Sequence, residues 1–161
     1  MRAADDEPST LGEVIDRSEI ENVSDDFRVP SERVAEWKEL KAKKRIRRTH
    51  KISGEEYFYA EGNIPFPDNL DQPSRTILTG EGGTSPSRFK HIVEDPRGGY
   101  RRLTPEDLEL LNGFPAGWTE VGDMKPGRRA FLMGNALIVG VIKLIGDELA
   151  SRSPVGPSSS T

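Results

Sequence analysis

The residues of this chain that could do chemistry are cations rather than nucleophiles or metal ligands. The 161 residues include no cysteine and only two histidines, His50 and His91. A thiolate nucleophile and a thiolate-bound zinc ion are therefore excluded, and two histidines are too few for a convincing histidine metal site. Basic side chains form a dense run within residues 37–51 and a looser set within residues 75–91. We predict that this chain holds no catalytic residue and no metal.

The dense basic segment reads WKELKAKKRIRRTHK, with Glu39 as its only acid. The whole chain carries a net charge of -4, so the segment stands out against an acidic background. Such a run favours a polyanion partner, whose phosphates would be bound in a salt-dependent way. The alternative is the solvated face of a helix, which we predict from the N-cap Ser31 to residue 45. The candidate phosphate-binding residues are Lys43, Lys44, Arg45, Arg47 and Arg48.

The stretch YRRLTPEDLELLNGFPAGW, residues 100–118, predicts a short and strongly capped helix. Thr104 is a suitable N-cap, Pro105 occupies the first helical position, and Asp107 at the third can close a capping box. Asn112 and Gly113 end the helix, and the next proline prevents it from resuming. By itself this stretch is a structural device.

The last apolar segment, MGNALIVGVIKLIGDELA, predicts a helix that Asn135 caps and that continues to residue 150. Its apolar stripe includes Leu137 and Val141 and is widened by Ile142, which suggests burial against more than one neighbour. The alternative is a simple core helix. The longest apolar run, residues 136–145, is interrupted by glycine and lysine, so we predict no membrane span.

The remaining chain predicts strands at residues 55–62, 74–80 and 89–93, the last two joined by a glycine-rich loop. Prolines within residues 65–73 preclude regular structure there. Residues 1–10 and 151–161 have the composition of a disordered leader and a disordered tail. No secretion signal is evident, so we expect a cytoplasmic protein.

Two motifs in order resemble the last two conserved blocks of DNA cytosine-5 methyltransferases. The first is RRLT at residues 101–104 followed by GFP at 113–115, and the second is GNAL at 134–137 ahead of an apolar helix. Either block alone is weak, but the pair at this spacing is a specific signal. Residues 70–91 are also similar to part of the family's target-recognition region. The resemblance covers roughly residues 66–150, and more weakly extends back to Leu11.

The resemblance implies an α+β chain, with a small β-rich target-recognition domain at residues 11–99. Residues 100–150 would carry the C-terminal motifs and a closing helix that packs on a partner's Rossmann-like α/β methyltransferase domain. The implied activity is transfer of a methyl group from S-adenosylmethionine, shared with that partner chain, to cytosine C5 in DNA, as in restriction–modification systems. The residues that would line the methionine end of the cofactor are Asn135, Ala136 and Leu137.

The same resemblance assigns DNA contact to the glycine-rich loop and its flanks. Arginine suits guanine O6 and N7 in the major groove, serine suits phosphates, and glycine lets the backbone approach closely. The alternative is an ordinary surface hairpin with exposed arginines. We expect Arg88→Ala to weaken binding to cognate DNA more than binding to random DNA. The candidate residues are Arg75, Gly82, Gly83, Ser87, Arg88, Lys90 and His91.

Several family features are missing. The family's Pro-Cys nucleophile and its Gly-rich cofactor cradle have no counterpart, and Asp107, Leu110 and Asn112 replace the usual Glu, Arg and Gln. We therefore expect a second polypeptide to supply catalysis, with double-stranded DNA as the other partner. The alternatives are a stand-alone DNA-binding or regulatory protein and an inactive fragment. An ENV match at residues 21–23 is interpreted as coincidence.

Overall fold

A computed structural model of the protein describes residues 9–16 and 23–152. Most of the predicted leader and tail therefore lies outside the described residues, and so do Glu21 and Asn22 of the ENV match. The helices are α1 Leu11–Asp16, α2 Val34–Lys41, α3 Pro105–Leu111, α4 Pro126–Asn135 and α5 Val139–Arg152. The strands are β1 Lys44–Thr49, β2 Glu56–Glu61, β3 Ile92–Glu94 and β4 Tyr100–Arg102. The α+β class is confirmed.

The strands form two separate antiparallel pairs, β1 with β2 and β3 with β4. Two small apolar clusters hold the chain together beside the second pair. One cluster contains Leu11, Val93, Leu103, Leu108, Ala130 and Met133. The other contains Val29, Trp37 and Ile92, with Phe66 and Tyr100 packed against it. Since β3 contributes to both clusters, this short strand joins the two halves of the core.

The capped helix over residues 105–111 is confirmed, including its capping box. The Thr104 hydroxyl accepts a hydrogen bond from the Asp107 amide at 3.2 Å, and the Thr104 amide donates to Asp107 Oδ2 at 2.9 Å. Arg101 Nη1 lies 2.6 Å from that same carboxylate oxygen, in a buried ion pair. Gly113 follows the helix with a φ of 82°, a conformation that favours glycine.

The prediction of one helix from Ser31 to residue 45 is wrong beyond Lys41. A short 3-10 turn, Ser31–Arg33, leads into α2, and Ala42 is extended with a ψ of 158°. The basic residues after it form β1, which pairs along its whole length with the aromatic strand β2. Cross-strand pairing with aromatic and β-branched side chains outweighs the helix propensity of the lysines and arginines.

The predicted strand at residues 74–80 is not formed, and the next one is shifted to Ile92–Glu94. The backbone of Leu78 and Thr79 packs directly on helix α4 instead. A Cβ at Gly134 would lie 2.6 Å from the Leu78 carbonyl carbon and closer still to Thr79. Gly134 therefore permits a backbone-to-helix contact that takes the place of strand pairing.

The predicted continuous closing helix is broken. Asn135 is the last residue of α4 rather than the cap of a new helix, and Ala136 is extended with a ψ of 152°. The chain resumes as α5 at Val139, whose amide donates to the Asn112 carbonyl at 2.9 Å. Asn112 Nδ2 also donates to the Met133 carbonyl at 3.2 Å. One asparagine thus ties the end of α3 to the junction between α4 and α5.

No residue of helix α5 is buried in the part of the chain that the structure describes, so the expected burial of its apolar stripe is not met there. Residues Pro126–Arg152 also contain a window apolar enough, by length and composition, to cross a membrane, with a mean hydropathy of 1.6. The length and composition of one such window do not overturn the prediction of no membrane span. The two helices are separated at residues 136–138, and α4 buries Ala130 and Met133 in the core.

Candidate nucleic-acid interface

Strands β1 and β2 form a two-stranded ribbon, residues 44–61, that projects from the core. Its register pairs Lys44 with Glu61 and Thr49 with Glu56. Because side chains alternate along a strand, each face of the ribbon carries half of them. Most side chains on both faces are exposed, including Tyr57 and Phe58 at 44% and 59%. A ribbon with both faces exposed presents its cations and aromatic rings directly to a partner.

Aromatic rings hold two of the ribbon arginines. The Arg45 guanidinium lies 4.3 Å from the centre of the Phe58 ring, and that of Arg48 lies 4.0 Å from the centre of Tyr59. These contacts are cation–π interactions and restrict the arginine rotamers. Arg47 instead pairs with Glu56 across the ribbon. The aromatic supports were not among the predicted site residues, because they matter only once β1 is a strand in register with β2.

The ribbon is attached to the core by the Arg88 side chain. Its guanidinium donates to the carbonyls of Leu40 and Ala42, at 3.0 and 2.9 Å, and to that of Gly62. These carbonyls lie just before β1 and just after β2, and Glu61 lies 3.4 Å from Arg88 Nε. Arg88 is only 8% exposed. The expectation that Arg88 is displayed toward DNA does not fit this burial, since its donors are occupied inside the chain.

A second group of charged side chains surrounds the buried carboxylate of Asp68. Asp68 accepts from Arg75 through both carboxylate oxygens, at 2.6 and 3.1 Å, and from the Ile92 amide at 2.8 Å. Lys41 Nζ lies 3.5 Å from Asp68 and donates to the Lys90 carbonyl at 2.7 Å. Burial raises the pKa of Asp68, but the hydrogen bonds from Arg75 and Ile92 outweigh it and hold that pKa below its usual value. Burial lowers the pKa of Lys41.

The side chains at the end of the glycine-rich loop also face inward. Lys90 Nζ donates to the carbonyls of Gly83 and Ser85, at 2.7 and 2.6 Å, and burial lowers the pKa of this lysine. His91 is fully buried, with Nδ1 2.7 Å from Glu81 Oε1. Neither Lys90 nor His91 is available at the surface. The Arg75 side chain is 28% accessible, but its donors are taken by Asp68 and by the Phe89 and Lys90 carbonyls.

The glycines of this loop serve chain packing. A Cβ at Gly82 would lie 2.7 Å from Ala130 Cβ and 2.8 Å from Gly127 Cα, so Gly82 lets the loop contact helix α4. A Cβ at Gly83 would lie 3.0 Å from Lys90 Nζ. The expected close approach of these backbones to DNA does not fit Gly82, whose open side is already filled by α4. Ser87 is partly exposed and Gly83, Thr84 and Ser85 are exposed, so the loop keeps a short polar surface of its own.

Asn135, Ala136 and Leu137 lie at the junction of α4 and α5. Asn135 Nδ2 donates to the Phe131 carbonyl at 2.9 Å. Ala136 and Leu137 line a mainly apolar cleft of about 420 Å³ whose opposite wall includes Arg75 and Ile77. The expected helix N-terminus, with free amides for a carboxylate, does not fit residues 134–136, because they end a helix. The junction can supply an apolar wall for a ligand. The polar groups of such a ligand would need hydrogen-bond donors from elsewhere.

The chain is similar to known proteins over most of its length. The C-5 cytosine-specific DNA methylase family model matches residues 7–151. The type II methyltransferase M.Sau3AI of Staphylococcus aureus is 42% identical over 140 residues, which are 87% of this chain and 32% of the relative. No solved structure matches the chain. The chain thus spans about a third of the length of this relative. On the family match and this identity, the protein belongs to the C-5 cytosine-specific DNA methylase family.

Proposed function

We propose that this chain is the C-terminal, DNA-target-recognising part of a DNA (cytosine-5) methyltransferase. A second polypeptide would supply the catalytic cysteine and the cofactor cradle, and the assembled enzyme would methylate cytosine C5 in double-stranded DNA. The observation that carries this proposal is the family match to a chain without any cysteine. Cytosine-5 transfer needs a nucleophile that adds to the ring and later leaves, and nothing in this chain can provide it. We place the assembled enzyme in the cytoplasm, with the nucleoid.

Helix α5 supports the need for a partner. Its apolar side chains, among them Val141, Ile142 and Leu144, are each 44–50% exposed. Ile142 lines both the cleft beside Ile77 and a second apolar cleft beside Phe114. Contiguous apolar surface of this kind marks an interaction site. We propose that the catalytic polypeptide covers this face with its Rossmann-like methyltransferase domain. In a methyltransferase made of one chain, the same domain would cover the closing helix.

The cofactor would be shared between the two chains. The residues present here fit one wall of such a site, since Ala136 and Leu137 line an apolar cleft. Arg75 in the opposite wall is occupied by Asp68, so the charged end of the cofactor must find its partners on the catalytic polypeptide. S-adenosylmethionine would supply the methyl group. The role of residues 135–137 is to close the site and exclude water beside it.

Reconstitution tests the proposal. The chain is mixed with a catalytic polypeptide that carries the part of the M.Sau3AI-like enzyme this chain lacks, and transfer of labelled methyl groups to duplex DNA is measured. We expect transfer by the mixture and none by either chain alone. If the mixture transfers none, the subunit function is wrong. Selective DNA binding in that case would favour the stand-alone regulatory protein, and no binding would favour the inactive fragment.

A matched pair of variants tests the docking face. Ile142→Asp should abolish transfer by the mixture at protein concentrations where the unchanged chain is active, because it charges an apolar contact. Asp147→Lys, on the same helix, should retain most activity. Both side chains are exposed, so each variant should unfold at the same urea concentration as the unchanged chain. Equal activity of both variants would place the partner elsewhere.

A further inference from the structure

Each face of the ribbon carries an arginine that no carboxylate among the described residues pairs with, Arg45 near the base on one face and Arg48 near the tip on the other. The face with Arg45 and Phe58 also carries Arg47 and Glu56, which neutralise each other. The opposite face carries Arg48 near the tip, between Tyr57 and Tyr59. No carboxylate among the described residues pairs with Arg48. This Arg48 face therefore has an uncompensated cation at its outer end.

Glu61, the acid on the Arg48 face, is already paired at the base of the ribbon. Glu61 accepts from the Tyr59 hydroxyl at 3.0 Å and lies 3.4 Å from Arg88. Tyr59 is thereby fixed at its hydroxyl end while its ring supports Arg48 at 4.0 Å. A guanidinium that lies over the face of a fixed ring leaves the N–H donors at its edge free for a partner. It loses little further freedom when it makes two parallel hydrogen bonds.

The dimensions of the ribbon suit duplex DNA. Six residues in each strand extend about 20 Å, which is roughly six base-pair steps. The major groove of B-form DNA, about 12 Å wide, admits a two-stranded ribbon. Arg88 holds both ends of the ribbon at their attachment to the core, so the ribbon can enter a groove at a set angle.

Resting on the proposed function, we infer that the Arg48 face of the ribbon enters the DNA major groove and that Arg48 reads guanine. The bidentate contact would use O6 and N7 of the base, the pattern that arginine matches best. Tyr59 acts as a positioning residue for Arg48. The ribbon then supplies the arginine that distinguishes the target sequence, because the cations of the glycine-rich loop are occupied within the chain.

Guanine analogues test the inference. Preferred sites are selected from a random duplex pool by the full chain together with its catalytic polypeptide, and each guanine in the selected site is replaced by 7-deazaguanine. That base keeps O6 and loses the N7 acceptor. For the unchanged chain, we expect one replacement to weaken binding by roughly tenfold. For Arg48→Lys, which keeps the charge and loses the fork, the same replacement should cost less than about twofold because the contact is already lost.

Arg45→Lys is the matched control, since Arg45 is also stacked on an aromatic ring but lies on the other face. It should retain the full sensitivity to 7-deazaguanine. The inference fails if no guanine is sensitive, if Arg48→Lys stays as sensitive as the unchanged chain, or if Arg45→Lys alone removes the effect. Methyl transfer without any of these effects overturns the ribbon inference only. Absence of both methyl transfer and site selection overturns the proposed function as well.

Discussion

Two groups of cations in this protein have opposite roles. The inner cluster, Lys41, Arg75, Arg88 and Lys90, is directed at carbonyls and carboxylates of its own chain. Two ribbon arginines, Arg45 and Arg48, lie over aromatic rings and remain exposed. The residue types are the same, so composition does not separate the groups. The two groups differ in whether carbonyl and carboxylate oxygens of the chain surround the cation. The inner cluster therefore has a structural role, and its Arg88 fixes the two ends of the ribbon.

The largest effect should come from removing the acid of the inner cluster. Asp68→Ala removes the buried carboxylate that Lys41, Arg75 and the Ile92 amide share. We expect a loss of about 3–5 kcal/mol in the free energy of unfolding, since uncompensated buried charge is costly. Urea denaturation followed by circular dichroism measures it.

The ribbon supplies the control for this comparison. Glu56→Ala removes the acid of an exposed ion pair with Arg47, whose side chains are 53% and 65% accessible. The expected loss is less than about 1 kcal/mol because water screens the pair. Equal losses from the Asp68 and Glu56 variants would show that the inner cluster is no more structural than the ribbon.

A smaller effect is expected where the loop backbone meets helix α4. Gly134→Ala forces a methyl group against the backbone of Leu78 and Thr79, and should lower the free energy of unfolding by about 1–3 kcal/mol. Gly146→Ala, with nothing within 4 Å of the added atom, should stabilise helix α5 by up to about 1 kcal/mol. Opposite signs in thermal melts confirm the close contact. A neutral Gly134→Ala would contradict it.

Mild acidification should give the smallest effect. Burial raises the pKa of Asp68 and of Glu109, but hydrogen bonds from Arg75 to the first and from Thr119 and Arg129 to the second outweigh it, so both pKa values are depressed. Their contribution to stability is therefore full above the unfolded pKa values, about 4, and is lost as the pH falls through the folded ones. Urea midpoints should decline only slightly from pH 7 to about 5 and more steeply below.

The Glu109→Gln variant is the control for this pH dependence. Its urea midpoint should be lower at neutral pH, because Gln cannot hold the Thr119 amide and Arg129 as a carboxylate does. The decline of its midpoint below about pH 5 should be shallower than that of the unchanged chain. A parallel decline would assign the acid sensitivity to other groups.

The sequence predicts those elements that are determined by residues close together in the chain. The capping box of α3 was predicted because Thr104 and Asp107 are three residues apart, and the structure forms it. The strand β2 was predicted from its aromatic residues. Predictions that needed distant partners were wrong or incomplete. The segment at residues 74–80 looks like a strand, but its Thr79 packs on Gly134 of α4, 55 residues later in the chain.

The candidate site shows the same division between local features and contacts of distant residues. The sequence alone determined the family motifs, the absence of a nucleophile, the capped helix and the positions of the cations, because each of these is local or compositional. Tertiary structure decided which cations are free. Arg88 holds a carbonyl 46 residues earlier, and Arg48 is supported by a ring from the opposite strand. A guanidinium binds whichever acceptors the fold brings within reach, and only the folded chain brings these together.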